Sequence, residues 1–226
     1  MKWFLFLGIF YGKIGKDGTM SVPFPVGITT FIMSGGPKKT VFVPQTVHMM
    51  DGRLEVVIND AVIKKTRQMM EQQEAQMEDA AVEEMLGTYE IKNNQRNVLS
   101  LSLSNYTYHT YAAHGLTILQ SLTFDLEKGK ESELKDFFKP GSDYMKRLSA
   151  FISQQIEERD IPLINEFTVI RPNQDFYVAD QMIVLYFQLY ELTPYVYGFP
   201  MFPMPLYELE DIIDEDGPLG RLATDR

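Results

Sequence analysis

Three histidines are the side chains of this sequence best suited to bind a metal or to transfer protons near neutral pH. They are His48, His109 and His114, and no two of them have the four-residue spacing that places a pair of zinc ligands on one helix face. The sequence contains no cysteine, which excludes thiolate metal sites, thiol nucleophiles and disulfides. We therefore predict no metal site and no cofactor.

Motifs for nucleophilic catalysis and for phosphate binding are also missing. The pattern G-x-S-x-G, which holds a serine nucleophile at a strand-to-helix turn, does not occur. Residues 33–39 contain glycine and lysine without the Walker spacing and favour a turn. The acidic residues 214–217 lack two main ligand positions of a calcium loop. We find no catalytic motif and predict that the protein is not an enzyme.

Two segments carry more aromatic rings than a simple core explains. The first surrounds a chain reversal near residue 110, and the second lies among prolines between residues 190 and 202. Rings whose backbone is restrained by proline lose little entropy on contact, which suits a recognition surface. The alternative is that the rings only close one end of a sheet. The predicted binding surface consists of Tyr108, His109, His114, Tyr190, Tyr195, Tyr197, Phe199 and Phe202.

His114 allows two further interpretations. Because it lies between Ala113 and Gly115, we expect a buried, hydrogen-bonded turn residue. The alternative is an enzyme that acts on cell-wall glycans, in which His114 and a nearby carboxylate share the acid–base roles.

Hydrophobic periodicity predicts the elements that position these segments. Apolar residues recur at three- and four-residue spacing from Leu54 to about Met77, which indicates a helix packed on a sheet. Leucine and serine alternate over residues 98–104, which predicts an antiparallel strand with one dry and one wet face. A second strand follows over 116–126. A second helix, capped by Ser142 or Asp143, is expected to end near residue 159.

The C-terminal half continues this mixed pattern. Residues 175–187 predict two strands joined at 179–181, of which the second is central. Prolines exclude a helix over 190–207 and favour loops or an edge strand. The acidic tail after Ile213 is expected to fray. The predicted fold class is α+β, with antiparallel sheets and two main helices packed on them.

Charge and the N-terminal residues limit partners and compartment. The 31 acidic residues against 21 basic ones give a net charge of −10, which disfavours nucleic acid and favours a cationic partner. The apolar run 3–10 is too short to span a membrane, so we predict no membrane-spanning segment. No small-residue cleavage site follows it, and Met1 and Met20 are both possible starts. A cytoplasmic location is favoured, with an extracytoplasmic one as the alternative.

The order of several motifs resembles the RsiV-like family, a family of unknown function. It includes the extracytoplasmic domain of the anti-sigma-V factor and the non-catalytic N-terminal region of a peptidoglycan deacetylase. The resemblance rests on AHG at 113–115, SLTFDLEKGK at 121–130, LKDFFKPGSDY at 134–144 and YELTPYVYG at 190–198. The sequence departs from the family at Thr110-Tyr111-Ala112, where relatives often have glycines.

This resemblance implies a domain organisation and a binding function. It implies a smaller companion domain with one long helix (41–97) and an RsiV-like C-terminal domain (98–213). The remaining residues are interpreted as an N-terminal extension with the first strands (1–40) and an acidic tail (214–226). It also implies a non-enzymatic domain that binds a cationic, lysozyme-like protein or a cell-wall component. Besides the glycan-acting enzyme, a further alternative is a cytoplasmic or spore-associated structural protein that has lost this ligand.

Overall fold

Nine β-strands, three α-helices and three short 3-10 turns make up the part of the chain that the structure describes. The structure is a computed structural model, and it describes residues 26–77 and 80–223. The apolar run 3–10 and both possible start residues lie outside these ranges.

The larger sheet has six strands whose spatial order follows the chain. All neighbours are antiparallel except β2 and β3, which run parallel and are joined by the helix α1. The strands are β1 (Gly27–Gly36), β2 (Lys39–Val47), β3 (Val82–Gln95), β4 (Val98–His109), β5 (Leu116–Asp125) and β6 (Lys130–Glu131).

Helix α1 (Gly52–Glu74) covers one face of this sheet, as its periodicity predicts. Asp51 caps it by accepting hydrogen bonds from the N–H groups of Arg53 and Leu54. The helix buries an apolar stripe against β2, β4 and β5. Near its end the fully buried Gln73 donates to the carbonyl oxygen of Asn105 at 2.7 Å, so a polar side chain fixes the helix to the sheet. The buried stripe includes Leu54, Ile58, Val62 and Met69.

The smaller sheet has three antiparallel strands, β7 (Phe176–Ala179), β8 (Met182–Tyr186) and β9 (Met201–Pro205), with β8 in the centre. This confirms the two predicted strands and the central position of the second. Pro203 and Pro205 lie in β9, an edge strand, where a missing N–H donor costs least. Helix α2 (Tyr144–Glu158) shares a buried core with this sheet, and the predicted α+β class is confirmed.

The serine face of β4 is buried, although the alternation of leucine and serine predicts a wet face. Ser100 and Ser102 are 0% and 3% exposed. Strand β7 packs across β3, β4 and β5 and covers this face. The Ser100 hydroxyl pairs with the Thr123 hydroxyl at 2.8 Å and accepts from the Val178 N–H at 3.0 Å. Small hydroxyl side chains thus satisfy backbone groups on the free edge of β7.

The predicted domain boundary at residue 97 lies in the turn between β3 and β4. Arg96 and Asn97 have φ values of 53° and 56°, as in the two-residue type I′ turn that suits the twist of a hairpin. The two strands pair from Val82 with His109 to Gln95 with Val98. Segments 41–97 and 98–213 therefore share one sheet.

The predicted fraying after Ile213 is wrong for the described part of the tail. Helix α3 (Pro218–Ala223) buries Leu219 and Leu222 at 0% and 2% exposure. Arg221 forms an ion pair at 2.7 Å with the fully buried Asp125 at the end of β5. The prediction failed because the acidic composition of the tail does not indicate that its leucines are buried against the rest of the protein and that Arg221 pairs with Asp125.

We expect Gly87→Ala in β3 to destabilise the larger sheet. A Cβ at this position would lie 2.3 Å from Cγ1 of Val41 and 2.9 Å from Oδ1 of Asn105. Overpacking of this kind costs about 1–3 kcal/mol, to be measured as the free energy of unfolding in urea. Gly52→Ala is the control, because an added Cβ there meets nothing within 4 Å apart from its chain neighbours and the backbone of its own helix. Equal losses in the two variants would contradict this account.

We expect Arg221→Met to lower the free energy of unfolding by about 3 kcal/mol or more, because it leaves the buried Asp125 carboxylate without its ion pair. Thermal and urea unfolding measure the change. Arg147→Met is the matched control, since the Arg147 guanidinium lies 3.9 Å from Asp211 at the surface. Such exposed pairs contribute at most about 1 kcal/mol. Similar losses in both variants would show that the Asp125 pair does not anchor α3.

Candidate functional site

Three of the predicted site residues, His114, Tyr190 and Tyr195, form a cluster of rings at the surface, which we call the ring cluster. The His114 and Tyr195 ring centroids lie 4.4 Å apart, and those of Tyr190 and Tyr195 lie 5.5 Å apart with the rings stacked. His114 is exposed, and Tyr190 and Tyr195 are 45% and 37% exposed. The cluster therefore presents a preformed aromatic surface to solvent.

Two loops from different sheets supply these rings. His114 lies in the loop between β4 and β5, and the tyrosines lie in the loop between β8 and β9. The Tyr195 hydroxyl donates to the Gly115 carbonyl oxygen at 3.1 Å and so ties the loops together. Pro194 precedes the 3-10 turn that begins at Tyr195. The two loops are far apart in the sequence, so local sequence patterns do not predict that they meet.

Tyr190 has a φ of 64°, in the left-handed region that bulky side chains rarely adopt. A backbone of this kind costs of order 1 kcal/mol or more and persists only where surrounding contacts impose it. The Tyr190 hydroxyl lies 3.2 Å from Nε2 of His114, and its ring stacks on Tyr195. The strained backbone therefore directs the ring toward its two partners.

The hydrogen bonds of His114 determine its tautomer. Its Nδ1 lies 2.9 Å from the Gly115 carbonyl oxygen, which can only accept, so Nδ1 donates. In the neutral ring, Nε2 then accepts from the Tyr190 hydroxyl. The expected hydrogen bonding is thus found, but the expected burial is wrong because the ring is exposed. Among the described residues, no carboxylate hydrogen-bonds to His114.

Gly115 supports the ring cluster because the ring of Tyr106 lies against its backbone. An added Cβ on Gly115 would be 2.2 Å from the Tyr106 ring. The position is buried, so only a residue without a side chain fits between Tyr106 and the loop. The glycine of the motif at 113–115 therefore has a packing role.

Two predicted members of the binding surface are buried, which corrects that prediction. Phe202 is fully buried on β9, with its ring 5.8 Å edge-to-face from Phe187. His109 is 4% exposed at the end of β4. Both lie on strands whose pairing turns these side chains inward, which aromatic composition alone does not reveal.

The other three predicted members are half-buried and support the loops. The Tyr108 hydroxyl donates to the Ala112 carbonyl oxygen at 3.1 Å. The Tyr197 hydroxyl accepts from Arg159 at 3.3 Å. Phe199 packs on the buried residues that lie between the two sheets. None of the three stacks on the ring cluster.

Val196 extends the exposed surface and was missed by the sequence reasoning. It follows Tyr195 and is 92% exposed, while Tyr111 in the other loop is 96% exposed. The sequence signal that could have identified it is a valine between two tyrosines, Tyr195 and Tyr197, in a proline-rich segment.

A polar network holds the chain just before the ring cluster. The Gln188 side chain donates to the Leu119 carbonyl oxygen at 2.6 Å and to the Asp175 carboxylate at 2.9 Å. The Gln188 N–H donates to Glu191, which pairs with Arg171 at 2.9 Å. Burial raises the pKa of Asp175, and the hydrogen bond from Gln188 partly opposes this. The network fixes the turn that presents Tyr190.

Metal-ligating side chains do not gather in the part of the chain that the structure describes. Within residues 26–77 and 80–223, no three histidine, aspartate or glutamate side chains are placed to hold a metal ion together. Over the same residues, no helix has the length and apolar character needed to cross a membrane.

Comparison with known proteins finds one matching family model and crystal structures of similar fold. Residues 135–207 match the family model described as "Protein of unknown function (DUF3298)". The crystal structure of a DUF3298 family member from Bacteroides fragilis is similar, with a TM-score of 0.60 at 17% identity, covering 87% of this chain and 95% of that one. That of a DUF3298 family protein from Pseudomonas aeruginosa has a TM-score of 0.61 at 16% identity, covering 90% and 99%.

The family model and the crystal structures support different conclusions. At such low identity the two crystal structures show a shared fold alone. No curated protein matches the chain. Residues 135–207, less than half of the chain, are therefore similar to the DUF3298 domain, a domain of unknown function.

Proposed function

We propose that this chain is a non-enzymatic binding domain of the RsiV-like kind, which binds a cationic, lysozyme-like protein through the ring cluster. The observation that carries the proposal is the exposed cluster of His114, Tyr190 and Tyr195, in which the two tyrosine rings stack and the His114 ring lies tilted against Tyr195. The motif order that resembles the RsiV-like family supports the choice of partner. A cell-wall component is the alternative ligand.

The ring cluster has the properties of an interface centre. Tyrosine is enriched among the few residues that dominate binding energy at protein interfaces. The Tyr195 and Tyr190 hydroxyls are held by Gly115 and His114, so few rotamers remain to be frozen on binding. Exposed Val196 and Tyr111 add apolar area to the loops that carry these rings. A partner would therefore gain contact area at a small entropic cost.

Net charge supports a cationic partner. The chain carries a formal charge of −10, and long-range attraction of opposite charges accelerates encounter. The nearest charged pair to the tyrosines in sequence, Glu191 with Arg171, is already satisfied. The attraction thus comes from the whole molecule, and we expect it to weaken as salt is added.

We expect Tyr190→Ala/Tyr195→Ala to weaken binding of purified lysozyme by about thirtyfold or more, which corresponds to loss of about 2 kcal/mol of contact energy. Biolayer interferometry at low and moderate salt measures the dissociation constants. Tyr207→Ala is the control, because Tyr207 is 71% exposed and lies outside both loops.

Two results would overturn this assignment. One is the absence of lysozyme binding by the wild-type chain at either salt concentration. The other is wild-type affinity in the double variant, with the melting temperature confirming that it is folded. Binding of purified cell-wall fragments in place of lysozyme would favour the alternative ligand.

We expect His114→Ala to reduce lysozyme affinity while leaving the melting temperature within about 2 °C of wild type, because substitutions of exposed residues change stability little. Differential scanning calorimetry and interferometry measure the two quantities. Turnover of muropeptides by the wild-type chain, abolished in this variant, would instead support the glycan-acting enzyme.

A further inference from the structure

A second surface of the molecule gathers several lysines in one cleft of an otherwise acidic protein. A cleft of about 380 Å³ lies between the end of β5, the start of α2 and the tail before α3. Four of the thirteen lysines of the chain line it, and none of them belongs to the ring cluster. They are Lys128, Lys130, Lys135 and Lys139. The same lining contains three aspartates, Asp125, Asp136 and Asp214.

The N-terminus of α2 opens on the same cleft. The fifteen-residue helix begins at Tyr144, which lines the cleft together with Gly141 and Ser142. Asp143 occupies the N-cap position, yet its side chain makes no capping hydrogen bond. The first turn therefore lacks a side-chain acceptor, and its N–H groups and the helix dipole favour an anion.

Two buried hydroxyl groups in the cleft wall point to a ligand independently of the helix. Ser132 is 5% exposed, and its Oγ has no hydrogen-bond partner. The Oγ of Ser142 is likewise buried without a partner. Both residues line the cleft. A buried hydroxyl without a partner loses its solvation with no compensation, and an oxygen-rich ligand would supply the missing bonds.

The acidic side chains near the cleft do not prevent it from binding an anion. Lys130 and Lys139 pair with Asp136 and Glu215 at 3.0 and 3.4 Å in partly exposed positions, where ion pairs are weak. Glu133 pairs with Lys135 in the same way. Asp125 is neutralised by Arg221, which leaves Asp214 as the other acid in the lining. The lysines can therefore exchange these partners for a ligand.

We propose that this cleft binds a phosphate group, through its four lysines, the hydroxyls of Ser132 and Ser142 and the first turn of α2. Lysine acts on phosphate as a point charge, while hydroxyl and N–H groups orient its oxygens. The cleft is larger than a bare phosphate ion needs, so the group can also be carried by a small molecule. The site is separate from the ring cluster and does not depend on lysozyme binding.

Isothermal titration of the full chain with inorganic phosphate tests the proposal, with sodium chloride adjusted to constant ionic strength. We expect saturable binding to the wild-type chain and at least tenfold weaker binding to Lys128→Met/Lys135→Met. Ser132→Ala should weaken binding severalfold with an unchanged or higher melting temperature, because it removes an unpaired buried hydroxyl. A parallel titration with glycerol 3-phosphate distinguishes the sources. If glycerol 3-phosphate binds more tightly than inorganic phosphate, the natural ligand is a phosphorylated small molecule. Equal affinities indicate the free ion.

Lys38→Met/Lys64→Met is the matched control, since it removes the same charge from exposed positions away from the cleft. Its phosphate affinity should equal that of the wild-type chain. The proposal is overturned by the absence of saturable binding, by wild-type affinity in the cleft double variant or in Ser132→Ala, or by equal weakening in the control.

Discussion

The contact between the serine face of the larger sheet and the edge of β7 is the interaction on which the rest of this structure depends. Ser100 accepts from the Val178 N–H, and Ser121 bonds to both the Phe176 carbonyl oxygen and the Tyr186 hydroxyl. An apolar interface would leave the edge strand with unsatisfied backbone groups, which are costly when buried. Small hydroxyl side chains avoid this cost and allow close approach of the two sheets.

This contact also explains how the ring cluster forms. The β4–β5 loop belongs to the larger sheet and the β8–β9 loop to the smaller one, so the rings meet only when the sheets are docked. Gln188 reinforces the docking through two hydrogen bonds to the backbone of Leu119. The candidate binding surface is therefore a property of the docked pair of sheets, and disruption of the interface would separate its parts.

The two proposed sites divide the surface by chemistry. The ring cluster offers stacked, solvent-exposed aromatic groups, whereas the cleft at the start of α2 offers lysines and unpaired hydroxyls. Their residues do not overlap, so one site can be inactivated without altering the other. The match to a domain of unknown function covers residues 135–207 and thus includes Tyr190 and Tyr195 but not His114. The ring cluster therefore extends beyond the matched segment.

The sequence by itself determined the helices α1 and α2, the strands β4, β5, β7 and β8, and the α+β class, because periodicity acts over short distances. It also identified the rings of His114, Tyr190 and Tyr195. Only the tertiary structure decided that the serine face is dry, that Phe202 is buried and that α3 is anchored to Asp125. Each of these depends on what packs against a residue from a distant part of the chain, and local patterns carry no information about that partner.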